Sequence, residues 1–437
     1  MTAENRSLQS FSRSNHLYER ALKRIPGASQ TFSKSAMQYV RGVSPLFLER
    51  GEGCRVWDVD GNEYIDLVGG LLPIVLGYRD PDVDNAIRAQ LEKGISFSLA
   101  TSLEVELAER LARLIPCAEM TRFGKNGSDA VSGAIRLARA YTGRDRVACC
   151  GYHGWHDWYI ATTSRNLGVP PAVGALTSTF QYNDIDSLES LLRNDPDGYA
   201  AIILEPMTFE SPQPQFLEQL KELCDRYGAL LIFDEVITGF RIDLGGAQRF
   251  FGVTPDLACF GKAMGNGMPI SAVVGRAEIM DKMNDIFFSG TFGGEALSLA
   301  AAIATIDKLE RVDAIPRIKK FGHDLSAELS KQIVSHHLGH HLRVIGADWW
   351  PGLQVTGGGA VDSVLFTSLL RQELIGQGIL QCASANLSLA HTESGVLEIV
   401  LKRWDRALAT VRSQLDGANP ALCLRGKPIE AVFRVRG

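Results

Sequence analysis

The chain has 437 residues, enough to bury a sizeable core and to form one large and one small domain. Charged residues make up 22% and hydrophobic ones 45%, the balance of a soluble globular protein. The net charge of -5 gives no electrostatic case for nucleic acid or for an anionic membrane as partner.

The 8 cysteines are scattered, with only Cys149 and Cys150 adjacent. No Cys-x-x-Cys pair occurs, so neither a zinc ribbon nor a disulfide framework is suggested, and reduced thiols in a cytosol are expected. The first 27 residues carry acids and lack an apolar h-region, so they do not read as a signal peptide. No uninterrupted apolar run reaches the roughly 18 residues that span a bilayer. The expectation is a soluble, cytoplasmic protein with no membrane partner.

In chain order, Leu17 to Ile25 reads as a short helix stopped by Pro26 and Gly27. Residues 27–44 are polar and irregular, with Ser29, Gln30, Thr31, Ser33 and Lys34 close together. The following segment, SPLFLERGEGCRVWDVDGNEYIDL, alternates apolar and polar residues between glycine turns and predicts a small antiparallel meander. Helical spacing marks Pro81 to Lys93 and Glu104 to Leu114. From there to about residue 307, apolar strands alternate with amphipathic helices. Strands are predicted at Met120 to Gly124, Arg146 to Cys150, Ala200 to Leu204, Ala229 to Phe233, Leu257 to Gly261 and Ile270 to Gly275. Helices are predicted at Asp129 to Tyr141, Asp186 to Leu192, Phe216 to Tyr227 and Ala296 to Arg311. This alternation predicts a mostly parallel sheet wrapped by helices. The tail reads as a smaller α+β lobe, with helices near Ile315 to His336, Asp362 to Gln377 and Trp404 to Leu415. The glycines at 357–359 read as a loop, and no repeat or low-complexity tract is present.

Two apolar strands end in ionisable residues. Ala229 to Phe233 runs into Asp234 and Glu235, and Leu257 to Phe260 runs into Gly261 and Lys262. In open α/β sheets the carboxyl-terminal edge is where ligands bind. An acid and an amine brought to one crevice suit a pyridoxal phosphate site, where the lysine forms the Schiff base and the acid keeps the pyridine nitrogen protonated. KNGSDA, Lys125 to Ala130, places a glycine and a small hydroxyl residue at a helix start, where backbone N–H groups face an anion. By itself it equally fits an ordinary helix cap. GYHGWHDWY, Gly151 to Tyr159, presents Tyr152, His153, Trp155 and His156 just after a strand. Stacking one of them on a flat ring is worth roughly 1 kcal/mol beyond area burial, although the segment also fits a structural aromatic cluster.

LLIFDE also resembles a Walker B strand. A Walker A loop requires G-x-x-x-x-G-K-[ST], and the residues around Lys262 read DLACFGKA. Asp256 stands where the first glycine is needed, and Ala263 replaces the hydroxyl residue, which removes the nucleotide-hydrolase reading. GNGMPI, from Gly265, fails G-x-G-x-x-G at Ile270. His336, His337, His340 and His341 lie beside Gly339 and read as an exposed polar loop, and no metal site is expected.

Taken together the motifs resemble the class III aminotransferases of pyridoxal phosphate fold type I. The likeness runs from IPGASQ through WDVDGNEYIDL, KNGSDA, LARAYTGRDRV, YHGWHD, LEPM, LLIFDEVITGFR and GVTPDLACFGKAMGNGMPISAVVGR to SGTFGGEALSLAAA. Within the class the chain is most similar to glutamate-1-semialdehyde aminomutase and its relatives. The resemblance implies an α/β fold, with a large cofactor domain around a mostly parallel seven-stranded sheet and a smaller α+β domain built from both termini. Its segments would be residues 1–75 and 308–437 for the small domain and 76–307 for the large one.

The resemblance also implies roles. Lys262 would be the Schiff-base lysine and proton shuttle, and Asp234 would pair with the pyridinium nitrogen. Val236 would pack on one face of the ring and Tyr152 on the other. Gly127 and Ser128 would hold the phosphate, with Asn126 nearby and Glu205 as an inner acid. Thr291 would reach the phosphate of the neighbouring subunit, making the enzyme at least a homodimer. Departures from the aminomutase pattern occur at Glu210, where an asparagine usually reaches the cofactor's phenolic oxygen, and in the gating segment 163–174, which carries Pro170 and Pro171. Ile237 stands where many ω-aminotransferases have glutamine.

The expected activity is transfer of an amino group from a small-molecule donor to an aldehyde or ketone acceptor, sugar-like or otherwise polar. His153, Glu210 and Ser29 are the expected substrate contacts at the mouth. A glutamate-1-semialdehyde-type 2,1-aminomutase and a catalytically silent pyridoxal phosphate-binding protein remain the alternatives.

Overall fold

A computed structural model describes residues 9–357 and 361–430. The glycine run at 357–359 therefore lies, from residue 358 on, outside the described residues. Strands follow one another along the chain as β1 (Leu48–Glu52), β2 (Arg55–Asp58), β3 (Glu63–Asp66), β4 (Met120–Gly124), β5 (Arg146–Cys150), β6 (Thr177–Thr179), β7 (Tyr199–Leu204), β8 (Leu230–Asp234), β9 (Leu257–Phe260), β10 (Ser271–Gly275), β11 (Leu342–Ala347), β12 (Trp350–Val355) and β13 (Ile379–Leu380). Two compact units result. The described residues of Met1–Leu71, Leu76–Asp80 and Pro316–Val432 form one, and those of Leu72–Val75 and Pro81–Ile315 form the other.

The second unit holds a seven-stranded sheet in the order β4-β10-β9-β8-β7-β5-β6. Strands β9, β8, β7, β5 and β6 are parallel, while β10 runs antiparallel to both β9 and β4. Strand β4 thus points the same way as the parallel set. Strands β7 and β8 are buried at every position, which explains their continuous apolar sequence: a parallel strand covered on both faces has no solvent side to mark with polar residues. Chain order reverses between β5 and β7. That reversal opens a crevice at the carboxyl ends of these strands, the place where open α/β sheets bind ligands.

The strand missing from the sequence-based expectation is β6. It is three residues long, Thr-Ser-Thr, and lies at the sheet edge beside β5, so it carries no apolar run to betray it. The helix expected from Asp129 begins at Gly127 and ends at Thr142. Its start is set by the Asp129 carboxylate, which accepts from the Asn126 N–H at 2.8 Å and the Lys125 N–H at 3.1 Å. Gly143, at φ 69°, ends it in the left-handed conformation. Ala130, Ala134, Ile135 and Ala138 from this helix pack with Val147, Ile203, Ile232, Leu257 and Val273 of the strands in one buried cluster.

The first unit has its own sheet, β1-β2-β3-β13, in which the expected meander is extended by β13 running parallel to β3. Tyr39, Val56, Tyr64, Ile375 and Leu380 form its core. Among the described residues no helix is long and apolar enough to cross a membrane.

The loop after β8 is organised by Glu235. This carboxylate is fully buried and accepts from the Thr238 hydroxyl at 2.6 Å, the Ala247 N–H at 2.6 Å and the Gln248 N–H at 3.1 Å. Burial pushes its carboxyl above the ordinary glutamate value, and these donors oppose the shift. Glu235→Ala removes the acceptor of four buried donors, the three above and the Gln248 side-chain amide. A loss of about 3 kcal/mol is expected, read as a lowered urea midpoint with unchanged slope.

Candidate active site

Five strands of the large sheet deliver side chains or amides to the same edge. Strand β8 ends in Asp234, β9 is followed by Gly261 and Lys262, β5 by Gly151 to His153, β7 by Glu205, and β4 by Lys125 to Ser128. Consecutive side chains of a strand point to opposite faces. Asp234 and Glu235 accordingly part company: Glu235 enters the loop described above, and Asp234 turns to the crevice.

Asp234 is 5% exposed. Its Oδ2 lies 2.9 Å from His153 Nδ1, and its Oδ1 accepts from the Val236 N–H at 3.2 Å. The other nitrogen of His153, Nε2, lies 3.0 Å from the Cys150 carbonyl oxygen. A carbonyl only accepts, so Nε2 carries a hydrogen. One further proton then lies between Nδ1 and Oδ2, and the pair as a whole is neutral. His153 was expected at the mouth as a substrate contact. Instead it is 1% exposed with both nitrogens engaged, because the turn after β5 carries the imidazole inward against Asp234.

Lys262 follows Gly261 at the start of a short 3-10 turn and itself has φ 41°. A non-glycine residue in that region costs of order 1 kcal/mol or more and is held by its surroundings. No carboxylate lies within ion-pair distance of its amine among the described residues. The side chain is packed deeply enough that burial pushes the amine below the ordinary lysine value, with Glu205 and Asp234 opposing the shift and Arg241 adding to it. Desolvation of this kind favours the neutral, nucleophilic form of an amine. Glu205 is shifted the other way: burial and the neighbouring Asp234 raise its carboxyl. Its Oε2 accepts from the Tyr152 N–H at 2.9 Å. The Tyr152 ring is 48% exposed and meets Tyr159 edge-on at 5.6 Å.

An anion cradle sits beside them. The N–H groups of Gly127 and Ser128 open a helix of 16 residues and have no acceptor among the described residues. Ser128 Oγ accepts from the Trp155 N–H at 3.2 Å, leaving its own hydrogen to donate. Two glycines keep the cradle open. A Cβ at Gly154, where φ is 91°, would stand 2.3 Å from Ser128 Oγ, and one at Gly127 would stand 3.0 Å from Val236 Cγ1. Val236 Cγ1 also lies 3.6 Å from the Cβ position of Gly261, so its isopropyl group lies between the anion cradle and the lysine turn.

The remaining expected residues make contacts of their own. Asn126 is exposed and its N–H is taken by Asp129. Thr291 is exposed and lines a cavity of about 380 Å³ with Lys125, Ser132, Arg136 and His156, which none of Lys262, Asp234 and Ser128 lines. Glu210 is exposed and accepts from Asn183 Nδ2 at 2.7 Å. Ser29, in the other unit, donates its hydroxyl to the Thr31 carbonyl. The histidine group forms no metal site: His336 pairs with Asp405 at 2.8 Å, His341 stacks on Phe366, and no metal-binding cluster exists among the described residues.

A desolvated amine, a buried acid paired through histidine and an open anion cradle at one sheet edge define an α/β protein built for a phosphorylated, carbonyl-bearing ring. The residues fit pyridoxal phosphate on that donor set alone. Residues 37–348 match the family model for aminotransferase class-III, and the chain belongs to that family. Pyridoxal phosphate is the cofactor of these enzymes. The chain is 42% identical over 349 residues to 3-aminobutyryl-CoA aminotransferase of Cloacimonas acidaminovorans, covering 78% of this chain and 83% of that protein. It is 44% identical over 317 residues to glutamate-1-semialdehyde 2,1-aminomutase of Syntrophobacter fumaroxidans, covering 68% and 72%. Among solved structures, the FumI protein of Sphingopyxis sp. MTA144 superposes with a TM-score of 0.86 at 31% identity, covering 94% of this chain and all of that one.

The His153–Asp234 pair is open to direct test. His153→Ala strands Oδ2 of a buried carboxylate and is expected to cost about 2–4 kcal/mol. A thermal or urea melt should show the loss, and a pyridoxal phosphate titration should show weakened cofactor affinity.

Proposed function

We propose that the protein is a pyridoxal phosphate-dependent aminotransferase that moves an amino group from a small amino donor to a polar aldehyde or ketone. The observation that carries this reading is the unpaired, desolvated Lys262 amine at the same sheet edge as Asp234 and the free Gly127 and Ser128 amides. When bound, the cofactor supplies an electron-accepting ring that lets a carbon–hydrogen bond beside nitrogen be broken.

The chain's own residues do the rest. Gly127 N–H, Ser128 N–H and Ser128 Oγ would hold the phosphate, with Asn126 nearby. Asp234, paired with His153, would hold the ring nitrogen in its protonated form. Val236 and Tyr152 would pack on the ring faces, and Glu205 fixes the Tyr152 backbone. Lys262 Nζ takes the proton from the amine-bearing carbon of the donor as general base, and in the second half-reaction returns a proton to the acceptor carbon. Thr291, exposed and outside the site of its own chain, fits a role at the phosphate of a neighbouring subunit in a homodimer.

The acceptor we infer is a sugar-like or otherwise polar aldehyde or ketone, a reading supported by the exposed Glu210 carboxylate. A second reading, the 2,1-aminomutase, is favoured by the relative from Syntrophobacter fumaroxidans at 44% identity. An aminomutase shifts the amino group within one molecule and needs no external donor. The two separate in one assay. With glutamate or alanine as donor, an aminotransferase releases a keto acid in an amount equal to the bound cofactor; no keto acid, together with isomerisation of an amino aldehyde, establishes the mutase. Lys262→Ala is expected to reduce turnover by a factor on the order of 10³, and retained turnover would sink both readings.

A further inference from the structure

The motif LLIFDEVITGFR ends in an arginine that the chemistry above leaves unused. Arg241 is 3% exposed. Its Nε donates to the Leu72 carbonyl at 3.1 Å, and its Nη2 donates to the carbonyls of Leu72 and of Ile74, the latter at 3.1 Å. The segment so held, Leu72–Val75, is the one piece of the chain before Pro81 that belongs to the cofactor-binding unit. Its far end is tied to the lysine turn: the Val75 N–H donates to Asn266 Oδ1 at 3.0 Å, and Asn266 closes the 3-10 turn that begins at Lys262.

Backbone strain gathers at the same place. Leu72, Phe240, Lys262 and Asn266 all have positive φ, at 81°, 59°, 41° and 43°. These are non-glycine residues on three separate segments joined by the hydrogen bonds just given. Strained conformations persist only where their surroundings over-determine them, and they gather at working sites. Phe240, next to Arg241, also packs at 5.7 Å on Phe260, the last residue of β9 before Gly261 and Lys262. The lysine turn is therefore braced from both sides, by Phe240 on its incoming strand and by Leu72–Val75 on its outgoing end.

We propose that Arg241 is a positioning residue for Lys262: by clamping Leu72–Val75 against Asn266 it holds the lysine turn in its strained conformation and sets where the amine stands. The inference rests on Lys262 as the reacting amine. A fork of parallel donors spans two carbonyls in a way that a lysine ammonium does not reproduce. The guanidinium also contributes a positive charge felt at the Lys262 amine, where Glu205 and Asp234 supply the opposing charges and burial acts with Arg241.

The test uses Arg241→Gln, Arg241→Lys and Asn266→Ala in the full chain. In the holoenzyme, kcat is expected to fall at least about tenfold in Arg241→Gln and in Asn266→Ala, with the donor KM changed less than about threefold, since misplacing a reacting group acts on the chemical step. In cofactor-free protein, acetylation of Lys262 by acetic anhydride, followed by peptide mass spectrometry across pH, reads the amine without any turnover. The acetylation midpoint should move to higher pH in Arg241→Gln, stay nearer the parent in Arg241→Lys, and stay at the parent value in Asn266→Ala. Added guanidinium ion should restore part of the kcat lost in Arg241→Gln. Parent-like kcat in Asn266→Ala, or a parent-like midpoint with parent-like kcat in Arg241→Gln, overturns the proposal; if Arg241→Gln fails to fold, Asn266→Ala and Arg241→Lys decide it. A Lys262 that is never acetylated selectively, with parent turnover surviving Lys262→Ala, would instead overturn the function proposed above.

Discussion

A carboxylate cannot sit at the end of a buried strand without a partner, and Asp234 has one in His153. The imidazole is held from behind by the Cys150 carbonyl, so its orientation is set by the backbone of β5 and not by solvent. The ends of β5 and β8, two parallel strands separated by β7 in the sheet order, thus meet through one side chain at the sheet edge. The neutral proton balance of the pair matters for the chemistry. A lone buried carboxylate would be driven to protonate, and a protonated acid would no longer stabilise positive charge on a ring nitrogen. The Cys150 carbonyl fixes the imidazole so that Nδ1 faces Asp234 Oδ2 and one proton is shared between them.

The neighbouring residue solves a different problem with the same functional group. Glu235 is as buried as Asp234, yet its oxygens are consumed by Thr238, Ala247 and Gln248. It shapes the loop that carries Phe240 and Arg241 back to the lysine turn. One acid therefore serves the reaction and the next builds the frame, and strand alternation alone separates them. The lysine on β9 is treated in the opposite way from either acid. Among the described residues no carboxylate pairs with it directly, and desolvation lowers its amine below the ordinary lysine value against the pull of Glu205 and Asp234.

The phosphate cradle depends on close approach. Gly154 brings the turn after β5 onto Ser128, and Gly127 lets Val236 lie against the loop. These contacts leave two helix-start amides open, while the Asp129 carboxylate accepts from the Lys125 and Asn126 N–H groups just before the helix and the Asp129 and Ala130 N–H groups donate to the Asn126 carbonyl. The site is thus assembled from amides that the fold declines to use, next to an amine it declines to pair.

Much of this was legible from residue order. Continuous apolar runs marked β7, β8 and β9 because buried parallel strands need them, and Asp234 and Lys262 stood out as ionisable residues at the ends of β8 and β9. The edge strand β6 was not legible, since Thr-Ser-Thr is short and carries no apolar residue, even though Thr177 is buried. Sequence by itself determined which chemistry-bearing groups exist and which strands deliver them. Only the tertiary structure decided that His153 turns inward to Asp234, that Thr291 lines a different cavity, and that Arg241 reaches back about 170 positions to Leu72. The physical reason is the same in each case: the direction of a side chain and the identity of its partner depend on turns and on neighbours distant along the chain, and no local pattern of residues records them.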